Sequence, residues 1–134
     1  MYQWENNIKV AEELLRIASR AGGDNGLREG ATRAAVGRFY YACYKVANDI
    51  VVGRCGNNAP HKKGGKHVRI IKSLLQCDSV AYDENDKQAI VEILLELKKQ
   101  RTKADYQAGA KFSPDKIAYI KEISKKTCNQ LKDF

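Results

Sequence analysis

Apolar positions recur along this chain with a helical period almost from end to end. Ile8, Ala11, Leu14, Leu15 and Ala18 share one face of a first helix, with Lys9, Glu12, Glu13 and Arg16 on the other. The stretch "AGGDNGLREGA", with four glycines, breaks the pattern. A second helix is predicted over Ala31–Val52. Its apolar residues, among them Ala35, Val36, Phe39, Tyr40, Cys43, Val46, Ala47 and Ile50, spread over a broad arc, while Arg38, Lys45 and Asp49 line one polar strip. A helix apolar over that much of its circumference touches several neighbours, which places it at the centre. A glycine-rich basic loop, "GRCGNNAPHKKGGK", follows, then a short helix over His67–Gln76 with Ile70, Ile71, Leu74 and Leu75 inward. A long helix is predicted over Glu84–Asp105. "SPD" then signals a restart, with Ser113 as N-cap, Pro114 in the first turn and Asp115 near the positive dipole end. The last helix runs to Leu131 and buries Ile117, Ile120, Ile123, Cys128 and Leu131, leaving Lys121, Lys125 and Lys126 opposite. No stretch alternates as a strand does. The expected fold is all-α: an up-and-down helical bundle of four long helices plus one short helix, one domain over residues 1–134.

One position breaks the pattern of the long helix. With Ile90 as origin and a step of about 100° per residue, Ile93, Leu94 and Leu97 fall within about 60° of it. Arg101 falls at about 20°, inside the same stripe, and Asp105 follows one turn later. A cation on a core-facing stripe is costly unless paired. Two readings meet that requirement. In one, Arg101 and Asp105 form a structural pair that also binds tyrosine hydroxyls or backbone on the central helix. In the other, the stripe opens at Arg101 onto a groove or dimer seam where a phosphate enters.

Charge narrows the partners. The 134 residues carry 24 Lys+Arg against 16 Asp+Glu, a net charge of +8, which favours a polyanion. From Arg54 to Lys72 there are six cations and no acid. No apolar run approaches the ~18 residues of a membrane span, and "MYQWENNIKVAEELL" lacks the pattern of a secretory leader. A cytoplasmic location with no membrane partner is the expectation. Cys43, Cys55, Cys77 and Cys128 form no C-x-x-C pair and read as free thiols. A set of Cys55, His61, His67 and Cys77 can be drawn as a zinc site, but its spacing matches no ligand knuckle, so no metal or other cofactor is assigned.

"KKGGKH" fails as a phosphate loop: Pro60 stands where the first glycine belongs, His67 where Ser or Thr belongs, and no strand precedes it. No G-x-S-x-G elbow and no H-E-x-x-H appears. His67, beside the apolar line of the short helix, reads first as a packed, hydrogen-bonded histidine. Tyr40, Tyr41 and Tyr44 spread around their helix, which argues against one flat base-stacking row and for core or interface anchors.

Two segments together carry a resemblance. "RAAVGRFYYACYKVA" places an arginine before the run Phe39-Tyr40-Tyr41, and "RTKADY" ends the long helix, with "GGKHVRIIKSLL" between them. The chain resembles a small HEPN domain of the R-x-x-A-D-Y branch. That resemblance implies a homodimeric all-α bundle, RNA as a partner, and a toxin–antitoxin or anti-phage defence setting with a minimal nucleotidyltransferase as antitoxin partner. It also implies a metal-independent endoribonuclease with an Arg-x4-6-His motif paired across the dimer. The chemistry suits those residues: a histidine moves the 2′-hydroxyl proton, and an arginine holds the phosphate and its added charge. Here Arg101 matches the arginine, whereas the histidine positions hold Tyr106, Gln107 and Ala108. The candidate catalytic set is therefore Arg101, Asp105 and His67, the last from another helix. Arg38, Lys62, Lys63, Lys66, Arg69 and Lys103 are candidate nucleic-acid contacts. Tyr106 is a candidate modification site, because the resemblance includes nucleotidylylation of a tyrosine beside the motif. The alternative is a non-catalytic binding or assembly module that pairs with a protein or holds RNA uncut.

Overall fold

A computed structural model describes residues 2–56 and 60–134. It is an all-helical bundle, with no strand among the described residues. Helix α1 spans Trp4–Ser19, α2 Asn25–Cys55, α3 Lys66–Ser73, α4 Glu84–Tyr106 and α5 Pro114–Lys132, and a single 3-10 turn, Leu74–Gln76, extends α3. Four long helices and one short one match the count read from periodicity.

α2 is the longest element, with 31 residues, about 46 Å at helical rise. It begins six residues earlier than its apolar arc suggests (Asn25, not Ala31). Asp24 explains the difference, because its side chain accepts from the Leu27 amide at 2.9 Å and caps the helix through the glycine-containing segment. Gly22, at φ +59°, makes the left-handed turn that separates α1 from α2. α2 packs against α1, α3, α4 and α5, the central position its broad apolar surface requires. Phe39, Tyr40, Ala42, Cys43 and Ala47 on it are fully buried.

The other starts are equally local. Asp83 and Asp86 form a reciprocal capping box at the head of α4. Ser113 accepts from the Lys116 amide and Pro114 opens α5. Ile71, Leu74, Ile90, Leu94, Leu97, Ile120 and Leu131 close the core around α2. Lys121 of α5 reaches Glu12 of α1 at 3.0 Å, so the exposed faces of the two flanking helices meet in an ion pair. No helix among the described residues is long and apolar enough to cross a membrane.

Along α4 the buried line drifts. Ile90, Val91, Leu94 and Leu97 are buried, and the line then passes to Gln100 and Ala104. Arg101 is left at its margin, half-buried.

Candidate functional site

The end of α4 carries two arginine environments. Arg33 of α2 lies beside the α4 C-terminus and saturates it. Its Nη1 donates to the carbonyls of Lys103 (3.3 Å), Ala104 (2.9 Å) and Gln107 (2.9 Å). Its Nη2 donates to those of Ala108 (3.0 Å) and Ala110 (2.9 Å), and its Nε bonds Glu29 at 3.0 Å. These carbonyls belong to the last turn of α4 and the loop that follows it, at the negative dipole end of the helix. The Lys103 carbonyl also takes the Gln107 amide and the Gln107 carbonyl the Ala110 amide, and the guanidinium fork adds donors to all five.

Arg101, on the same helix, is different. Its Nε pairs with Asp105 at 2.7 Å, one turn on, and no other hydrogen bond or ion pair engages it among the described residues. Its side chain is 29% exposed, against 15% for Arg33. The two terminal nitrogens are thus open to a ligand, and Asp105 fixes the orientation of the fork.

His67 lies within electrostatic range of Arg101, although 34 positions separate them in the sequence. Its ring stacks on Tyr44 at 3.9 Å between centroids and 14° between planes. Its Nδ1 is 2.7 Å from the Tyr40 hydroxyl. Tyr40 and Tyr44, one turn apart on α2, themselves stack at 5.8 Å and 27°. The three tyrosines thus form no common row, although two of them share a face. The i, i+4 spacing puts Tyr40 and Tyr44 on one face, and His67 extends the stack; Tyr41 meets it edge-on from a more exposed position.

The electrostatics follow from this packing. Burial pushes the His67 pKa down, and the positive charges of Arg101, Lys98 and Lys66 push it further in the same direction. His67 is therefore neutral at pH 7. Burial likewise raises the Tyr40 pKa, with Tyr44 adding to the shift and Arg101 opposing it. Tyr40 stays a phenol. When Nδ1–H of His67 donates to the Tyr40 oxygen, Nε2 keeps its lone pair, the form a general base needs.

The remaining candidates disperse around this cluster. Lys62, Lys66 and Arg69 line a cavity of about 370 Å³ with His61, between the end of α2 and α3. Lys63 is exposed beside it. Arg54, in the same basic segment, is exposed but engaged by the protein, donating to the Asp78 carbonyl and lying 5.1 Å over the Phe134 ring. Arg38 donates to Asn7 of α1 at 3.1 Å. Lys103 is half-buried near the α4 terminus, and Tyr106 is 76% exposed one residue after Asp105. The drawn zinc set does not assemble: Cys55 faces Cys77, His67 faces Tyr40, and no three metal-ligating side chains lie together among the described residues.

Comparison with known proteins finds no match. No family model, curated protein or solved structure aligns with the chain. The site thus rests on its own geometry. Sequence reasoning passed over Arg33 as a structural residue. No local signal marks it, since α2 starts at Asn25 and the carbonyl partners of Arg33 lie about 70 positions away.

Proposed function

We propose that this chain is an RNA-directed HEPN-type protein in which Arg101 holds a phosphate and His67 serves as the proton-transfer group. The observation that carries the reading is a half-open guanidinium within electrostatic range of a neutral imidazole whose orientation is fixed by Tyr40 and Tyr44. An imidazole from α3 takes the place of the histidine that the sequence lacks after Arg101. In the reaction, His67 Nε2 accepts the 2′-hydroxyl proton as that oxygen attacks the adjacent phosphorus. The phosphorus–5′-oxygen bond breaks, and the departing 5′-oxygen takes a proton from water. The products are a 2′,3′-cyclic phosphate and a 5′-hydroxyl end. Arg101 balances the charge added at phosphorus, and Asp105 positions it. Lys62, Lys63, Lys66, Arg69, Arg38 and Lys103 draw RNA in through long-range attraction.

The up-and-down course of helices belongs to this reading. It is supported by the short turn between α1 and α2 and by the packing of α4 on α5. So do the homodimer, the defence setting and a nucleotidyltransferase partner acting at the exposed Tyr106.

The deciding experiment is cleavage of a mixed single-stranded RNA in excess chelator. Wild type is expected to cut and leave cyclic phosphate ends, with Arg101→Ala and His67→Ala each slower by about 100-fold. A specific observation favours a second reading, a module that holds RNA without cutting it. The face-to-face stack of His67 on Tyr44 and its bond to Tyr40 also suit a purely structural histidine. Tight, salt-dependent RNA binding with no cleavage would select the module.

A further inference from the structure

The four cysteines stand as two pairs that the sequence does not announce. Cys43 of α2 and Cys128 of α5 have their sulfurs 3.1 Å apart in the core, and both are fully buried. Cys55, the last residue of α2, has its sulfur 3.8 Å from that of Cys77, which follows the 3-10 turn. The two pairs differ in access. Cys55 is half-exposed, while Cys77 is buried and donates to the Ser73 carbonyl at 3.3 Å.

We propose that Cys55 and Cys77 form a redox-active dithiol, an oxidative modification site of this chain, with a peroxide as its oxidant. Arg54, beside Cys55, donates to the carbonyl of Asp78, the neighbour of Cys77, so the backbones on either side of the two sulfurs are tied together before any bond forms. The two sulfurs then need only approach from 3.8 Å to a bond length of about 2.05 Å. The thiolate of Cys55 attacks a peroxide oxygen, breaking the O–O bond and leaving a sulfenic acid and water. The Cys77 sulfur then attacks the Cys55 sulfur, the S–O bond breaks, and the second oxygen departs as water. Two thiols lose two electrons and two protons in all, and one peroxide is reduced to two waters. Burial holds the Cys77 thiol up at about 11, and Arg54 and Lys87 work against that rise. The roles follow: the accessible Cys55 is oxidised first, and Cys77 resolves it.

The bond would close a loop containing Lys62, Lys63, Lys66, His67 and Arg69. Oxidation therefore fastens the basic segment and His67 to the end of the central helix. The proposal stands apart from RNA chemistry, and so does its test. The full-length protein is treated with a small excess of hydrogen peroxide, alkylated after unfolding, and mapped by mass spectrometry. The expected product is 2 Da lighter before alkylation, carries a Cys55–Cys77 linked peptide, and takes the alkyl label at Cys43 and Cys128. Its melting temperature rises by on the order of 10 °C, reverses with reductant, and does not move in Cys55→Ser. In Cys77→Ser, which keeps a donor for the Ser73 carbonyl, dimedone labels Cys55 as a trapped sulfenic acid. Both cysteines remaining free, over-oxidation of Cys55 in wild type without a linked peptide, or a Cys43–Cys128 bond instead would each overturn the proposal.

Discussion

The two arginines at the end of α4 show how one residue type serves opposite ends. Arg33 is spent on backbone: five carbonyl contacts and one carboxylate engage every nitrogen of its fork. Arg101 spends only its Nε on Asp105 and leaves the outer edge of the fork unengaged among the described residues. Both lie next to the core, and neither is a surface charge in the ordinary sense. The difference is whether the partners are built in. Arg33 has nothing left to offer a ligand, whereas Arg101 has two terminal nitrogens and a positive charge within electrostatic range of Tyr40 and His67. An unusual arginine in a helical stripe therefore marks a site only after its donors have been counted.

The largest test of this contrast is stability. Arg33→Ala removes the side-chain donors at the end of α4, leaving the Gln107 amide on the Lys103 carbonyl and several other carbonyls short of a partner. The expected loss is about 3 kcal/mol, seen as a melting temperature lower by about 10 °C. Arg33→Lys should recover little, because a point charge cannot reach five carbonyls in a fork geometry. Arg101→Ala should cost under about 1 kcal/mol, since its one ion pair is partly solvated. Equal losses at the two positions would erase the distinction.

How far the sequence reached is clearest along α2 and α4. The helical period of α4 placed its bounds almost to the residue, because Asp83, Asp86 and the apolar stripe all act locally. The misfit of Arg101 was readable for the same reason. The early start of α2 was not, because four glycines outweigh one capping aspartate in any count of breakers, while Asp24 and the packing of α2 on α1 decide the outcome. His67 within electrostatic range of Arg101, and Arg33 beside the α4 terminus, lie 34 and about 70 positions from their partners. Nothing in local spacing encodes such meetings. Tyr40 and Tyr44 were within reach: their spacing of four already put them on one face.

A middle-sized effect sharpens the electrostatic side. The folded-state pKa of His67 lies below its ordinary 6.5, because burial and three cations disfavour the charged ring. The unfolded chain therefore binds the proton more readily. His67 leaves stability untouched above pH 6.5 and lowers it as pH falls from there through the folded pKa. His67→Gln should flatten the stability profile in that acidic window and leave it unchanged above it. A profile that keeps its acid slope in the variant would move the titrating group elsewhere.

The smallest effect separates steering from gripping. The triple change Lys62→Ala, Lys66→Ala, Arg69→Ala should reduce the salt slope of RNA binding by about 2 to 3 while leaving the cleavage step of bound RNA nearly intact. Arg101→Ala should do the reverse, shifting the slope by about 1 or less and removing the chemistry.

The most direct measurement of the whole account follows the Nε–H signals of the arginines by NMR while a short single-stranded RNA is titrated in. The Arg101 signal is expected to shift and saturate with the binding curve, and the Arg33 signal to stay where it was. RNA that binds fully while the Arg101 signal remains unmoved would contradict the claim that this guanidinium receives the phosphate.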